Sequence, residues 1–107
     1  MKKLFIPLMV ILSPITFANN NCTKWENKPD YVKAIEVVAN NEGYTYAEIC
    51  QLPKIWDIEA QPSRIILRDG TVIPHVRIQL HMEYSSCLFM VNRQNWAITE
   101  QRCYSGS

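Results

Sequence analysis

From Arg64 to Met82 the chain reads R-I-I-L-R-D-G-T-V-I-P-H-V-R-I-Q-L-H-M, with apolar and polar residues alternating on either side of Asp69-Gly70. Alternation of period two is a strand pattern. Asp-Gly between two such runs predicts a hairpin. A two-residue type I′ loop needs φ > 0 at both central residues, which Gly70 takes freely and Asp69 tolerates. That loop would set Arg68 against Thr71, Leu67 against Val72, Ile66 against Ile73, Ile65 against Pro74 and Arg64 against His75. One face would then carry Ile65, Leu67, Val72, Pro74, Val76, Ile78, Leu80 and Met82, the floor of a core. The other would carry Arg64, Ile66, Arg68, Thr71, Ile73, His75, Arg77, Gln79 and His81. A one-residue slip would bury arginines, which argues for this register. Pro74 has no N–H to give, so its nitrogen should face an edge or a bulge.

Upstream the period changes. Tyr31, Ile35 and Val38 recur at helical spacing, with Val32 and Ala34 beside them. Pro29-Asp30 suits a first turn and Gly43 a left-handed end. Thr45 and Glu48 match a capping box that opens a short helix, which Pro53 stops. Trp56, Ile58 and Ala60 alternate with Asp57 and Glu59, a short strand, and Gln61-Pro62-Ser63 reads as a turn. Downstream, Cys87–Val91 is a continuous apolar run fit for a central strand, Asn92–Asn95 a turn, and Trp96–Tyr104 a last strand. Helices grouped before strands predict an α+β fold: two N-terminal helices packed on one face of an antiparallel sheet of four or five strands. Trp25 should tuck against the domain near Cys22.

The first residues change the setting. Lys2-Lys3, the apolar run Leu4–Leu12 and small residues before Asn19 form a secretory signal pattern, with cleavage expected after Ala18. The apolar run is too short to span a bilayer. Residues 19–107 then form one small domain. The whole chain carries 11 Lys+Arg against 10 Asp+Glu, a formal charge of +1. Loss of Lys2 and Lys3 would take this to about −1, which gives no reason to expect nucleic acid as a partner. The four cysteines, Cys22, Cys50, Cys87 and Cys103, fit two disulfides in an exported, periplasmic or secreted chain. Three pairings are open to them, and the expected one is Cys22–Cys50 with Cys87–Cys103.

Candidate chemistry is sparse. No C-x-x-C pair or short Cys/His spacing points to zinc. His75 and His81 stand about 20 Å apart at about 3.3 Å per residue, too far to share an ion. No metal or other cofactor is expected. Asp57 and Glu59 resemble a glycosidase pair only in spacing, His81 and Glu83 are near neighbours, and no serine or cysteine nucleophile has a readable base. A small hydrolase is therefore the weakest reading, and no catalytic residue is assigned. The sharper feature is the basic hairpin face, where Arg64, Arg68, His75 and Arg77 surround Ile66 and Ile73. Arginine forks suit carboxylates, and an apolar centre within a polar ring is how interfaces are built. The plain alternative is a solvated sheet face. The expected function is non-catalytic protein binding, as an inhibitor or immunity protein against an envelope-acting enzyme or toxin. The partner would be acidic at the contact, and the binder a monomer or small homo-oligomer. The alternative is an accessory subunit of an envelope or secretion assembly.

Overall fold

A computed structural model describes residues 20–105. The signal-peptide expectation lies outside these residues. A 3₁₀ turn, Thr23–Trp25, precedes helices α1 (Pro29–Asn41) and α2 (Tyr46–Cys50) and strands β1 (Ile55–Ile66), β2 (Val72–Met82), β3 (Ser85–Asn92) and β4 (Ile98–Ser105). The strands pair antiparallel in the order β1-β2-β3-β4. No helix among the described residues is long and apolar enough to cross a membrane.

The helices start and stop where their termini are chemically satisfied. Pro29 opens α1, where its missing N–H costs nothing, and Asp30 adds charge of the right sign to that end. The chain leaves α1 through Gly43 at φ +90, a conformation that only glycine takes without steric cost. α2 carries the full capping box: Thr45 Oγ1 accepts from Glu48 N–H at 3.1 Å, and Glu48 Oε1 accepts from Thr45 N–H at 2.8 Å. Ala34, Ile35, Val38 and Ala39 of α1, with Ile49 and Cys50 of α2, bury against Ile58, Ala60, Val76, Ile78, Leu80, Phe89 and Val91. These strand residues share one face by period-two alternation and ladder pairing, so the helices cover a single side of the sheet.

Both expected disulfides form. Cys22–Cys50 is wholly buried and ties the N-terminal segment to α2, while Cys87–Cys103 joins directly paired residues of β3 and β4. Two such bridges are what an oxidising compartment maintains. The buried bridge is backed by Asn21, whose Nδ2 donates to the Ile55 carbonyl at 2.8 Å, and by Trp25, whose indole N–H donates to the Ile58 carbonyl at 2.8 Å.

The hairpin corrects the expected register by one residue. Gly70 N–H donates to the Leu67 carbonyl and Leu67 N–H to the Thr71 carbonyl, so the loop has three residues, Arg68-Asp69-Gly70. Among the described non-glycine residues only Trp96 has positive φ, so Asp69 does not adopt the type I′ conformation. The turn is a type I turn closed by a left-handed Gly70, and Asp69 Oδ1 accepts from Thr71 N–H at 2.9 Å. Ile66 therefore pairs with Val72, Ile65 with Ile73 and Arg64 with Pro74. The far end of the strand supplies the reason. β1 runs unbroken through Gln61-Pro62-Ser63, which is not a turn, and its register sets Ile58 beside Leu80 and Ala60 beside Ile78. The expected register would have put Glu59 opposite Leu80 in the core, and a carboxylate there is costly. Long-range burial overrides the local turn preference.

Both hairpin prolines avoid the shared ladder. Because Leu67 bonds across the hairpin, alternation turns the odd residues of β1 toward β2 and the Pro62 nitrogen toward the open edge. Pro74 lies just past the last β2–β3 pair, His75–Asn92, as its missing N–H requires. The last strand is shorter than expected. Trp96 sits in the preceding turn at φ 60, donating its N–H to the Asn92 carbonyl at 2.7 Å. The outer-face residues Leu88 and Met90 are buried, flanked in the ladder by Gln79 and Arg77 on one side and by Arg102 and Glu100 on the other. Long polar side chains of this kind shield apolar neighbours with their stems.

Candidate functional site

Four of the six residues expected to bind a partner lie on one projecting arm. β3 ends opposite His75, so from Arg64 to Pro74 the β1–β2 ribbon continues with no third strand among the described residues. At about 3.3 Å per residue it reaches about 15 Å beyond the sheet. No residue from Gln61 to Pro74 is buried. Ile66, Leu67 and Val72 are 60%, 44% and 51% exposed, Ile66 and Val72 paired on one side of the ribbon and Leu67 on the other. Arg64 and Arg68 stand beside them, both exposed.

The corrected register divides the expected face. Arg64 and Ile66 share the side of Pro74 and Val72, whereas Ile73, His75 and Arg77 project from the opposite side, and Arg68 belongs to the loop. The Ile66–Ile73 pair is not formed. Arg77 lies away from the arm, its guanidinium against the Gln61 amide directly across the ladder. His75 is 1% exposed. Its Nδ1 lies 3.0 Å from the Ile73 carbonyl, which can only accept, so Nδ1 carries a proton. In the neutral ring Nε2 then accepts from the Thr99 hydroxyl at 2.8 Å. Thr99 is the extra residue of a bulge, for Met90 pairs with Glu100 and Val91 with Ile98. The bulge turns the hydroxyl toward the ring, and His75 is a satisfied structural side chain.

A second bulge builds a cluster that strand spacing alone did not reveal. Ile55 pairs with Met82 and Asp57 with His81, which leaves Trp56 as the extra residue. Its indole stacks on the His81 ring with centroids 5.3 Å apart at 29°. Ser86, paired with His81 from β3, places its Oγ 3.0 Å from Nδ1. The other ring nitrogen, Nε2, lies 2.6 Å from Glu59 Oε1. Asp57 completes the group: one donor atom each from Asp57, Glu59 and His81 falls within 4.8 Å of the others. Lys24 reaches Asp57 from the N-terminal segment, Nζ to Oδ1 at 2.7 Å. Trp56 also walls an open cleft of about 550 Å³ with Pro53, Lys54, Met82, Glu83 and Tyr84. Glu83, expected beside His81, faces this cleft rather than the ring.

The two acids and the histidine are far apart in the chain, and only the observed register places them side by side. Tyr44 and Tyr46, in contrast, pack partly into the core. The Tyr46 hydroxyl is buried with no hydrogen-bond partner among the described residues. Burial first, and Glu26 second, push its ionisation above the ordinary phenol value. No family model matches the chain, and no curated protein or solved structure matches it either.

Proposed function

We propose that the protein is an exported, non-catalytic binding domain that engages a protein partner through the β1–β2 arm, as an inhibitor or immunity protein does. The arm carries this reading. Among the described residues neither a third strand nor a helix covers this ribbon, and a two-stranded ribbon gains little stability from its own side chains. Ile66, Leu67 and Val72 nonetheless stand largely exposed at its end, with Arg64 and Arg68 around them. An apolar tip rimmed by arginines fits a concave partner surface with acidic margins. Fully burying an aliphatic side chain contributes about 2 kcal/mol, so the exposed portions of these three together hold about 3 kcal/mol available to a contact.

The test uses a photo-crosslinking residue at Leu67 and a control at Lys33, exposed on α1. In an envelope extract the Leu67 probe should capture one defined protein that the Lys33 probe does not. The double variant Ile66→Glu, Arg68→Glu should abolish that capture with thermal unfolding unchanged. Equal capture from both positions, or capture that survives the double variant, rejects the arm as the contact.

A further inference from the structure

We propose that Asp57, Glu59 and His81 form a binding site for a divalent transition-metal ion of the zinc class. The donors are two carboxylates and one imidazole nitrogen, already within 4.8 Å of one another. Metal–ligand bonds of about 2.0–2.2 Å place neighbouring donors about 3–3.5 Å apart. The cluster therefore closes on an ion by rotating carboxylates about their own side-chain torsions. Glu59 is 55% exposed and Asp57 26%, so both have room to turn.

The histidine is set up as a ligand would be. Ser86 engages Nδ1 and the Trp56 indole lies against the ring plane, which leaves Nε2 aimed at the carboxylates. The ion would replace the proton that Nε2 donates to Glu59, with the remaining ring proton on Nδ1 donated to Ser86 Oγ. A ligating imidazole commonly has its other nitrogen held by a hydrogen-bonding neighbour that fixes the ring. The bulge at Trp56 reinforces the point. It departs from regular pairing to place one large aromatic side chain on this ring, and bulges recur where a side chain must be re-aimed. Charge favours a cation as well. Lys24 is the ammonium group on this cluster among the described residues, and its bond to Asp57 is half exposed and easily exchanged. The imidazole separates the zinc class from calcium and magnesium, which prefer all-oxygen shells. Three protein donors leave at least one position for water or for a group on a bound partner.

The test is titration of purified, oxidised, chelator-stripped protein with zinc chloride, followed by calorimetry and amide NMR. One saturable site per chain is expected, with shifts confined to Trp56–Glu59, His81 and Ser86. His81→Gln and Glu59→Gln should each weaken binding at least tenfold, and Ser86→Ala should weaken it about 10–100-fold by freeing the ring. Asp57→Asn leaves the Trp56–His81 stack untouched and should give a comparable loss, which covers the case of a His81 variant that folds poorly. The proposal is overturned by no saturable uptake up to about 1 mM zinc, by uptake that His81→Gln leaves unchanged, or by calcium binding as tightly as zinc.

Discussion

Removing either disulfide should destabilise the domain, but by different amounts, and the difference reads where each bridge sits. The bridges span 28 and 16 residues. Loop-closure entropy alone assigns about 3.6 kcal/mol to Cys22–Cys50 and about 3.1 kcal/mol to Cys87–Cys103. Chain length thus separates them by only about 0.5 kcal/mol. Burial separates them further. Cys22 and Cys50 are 0% and 1% exposed in the core, whereas Cys103 lies on the exposed last strand. Deleting each buried sulfur leaves a small void worth about 1 kcal/mol. Cys22→Ala with Cys50→Ala should therefore cost about 5–6 kcal/mol, against about 3 kcal/mol for Cys87→Ala with Cys103→Ala. Urea unfolding followed by circular dichroism measures both. The gap of more than 2 kcal/mol should separate the midpoints by at least about 1 M. Equal losses would refute the burial argument, and a larger loss from the β3–β4 bridge would refute the placement of the core.

Thr99→Val should cost about 1–3 kcal/mol, because it leaves His75 Nε2 buried without its partner; a loss under about 0.5 kcal/mol in urea melts would show that the bond contributes nothing. Tyr46→Phe removes a buried hydroxyl that lacks a partner, so stability should hold within about 1 kcal/mol or rise. The wild type should in addition lose stability in alkali. A raised phenol contributes stability that is present below its ordinary value of 10.0 and lost as pH rises through the raised one, and the Phe variant should lack that step. Asp69 should titrate in carboxyl NMR below its ordinary 3.8, since hydrogen bonding from Thr71 lowers it. The turn's contribution is then present above the unfolded value and lost as pH falls through the lowered one, and titration at or above 3.8 would refute the capped turn.

Much of the fold was legible because its signals are local and redundant. Thr45 and Glu48 cap a helix by their own side chains, Gly43 and Gly70 sit where positive φ is required, and Val76, Ile78 and Leu80 keep one face whichever residues oppose them. The register was not local. Asp-Gly alone favours a two-residue loop, and what decides against it is Ile58 and Ala60, some ten residues away, which bury only if β1 shifts by one. Pro62 hid that link, since within three residues of polar and turn-forming type it looks like a break rather than an edge-strand position. The candidate sites inherited the error. A shift of one residue splits Arg64 and Ile66 from Ile73, His75 and Arg77, and the same shift brings His81 beside Asp57 and Glu59. Burial of His75 depends on a bulge at Thr99 from a different strand, which no pattern within the hairpin encodes.

The pair of imino acids flanking the arm has a consequence for how anything could grip it. Each outer margin of the ribbon lacks a hydrogen-bond donor near the base of the arm, one margin at Pro62, opposite Val76, and the other at Pro74, opposite Arg64. A visiting strand that ran past the base along either margin would meet a gap where its carbonyl needs a proton, which limits main-chain pairing to the short stretch holding Arg64 and Ile66 on one side and Val72 on the other. Under the proposed binding role, the greasy tip and its guanidinium flanks then offer more contact than so short a run of main chain. On that proposal the arm would act by insertion, since the prolines at its base interrupt any strand added along its full length.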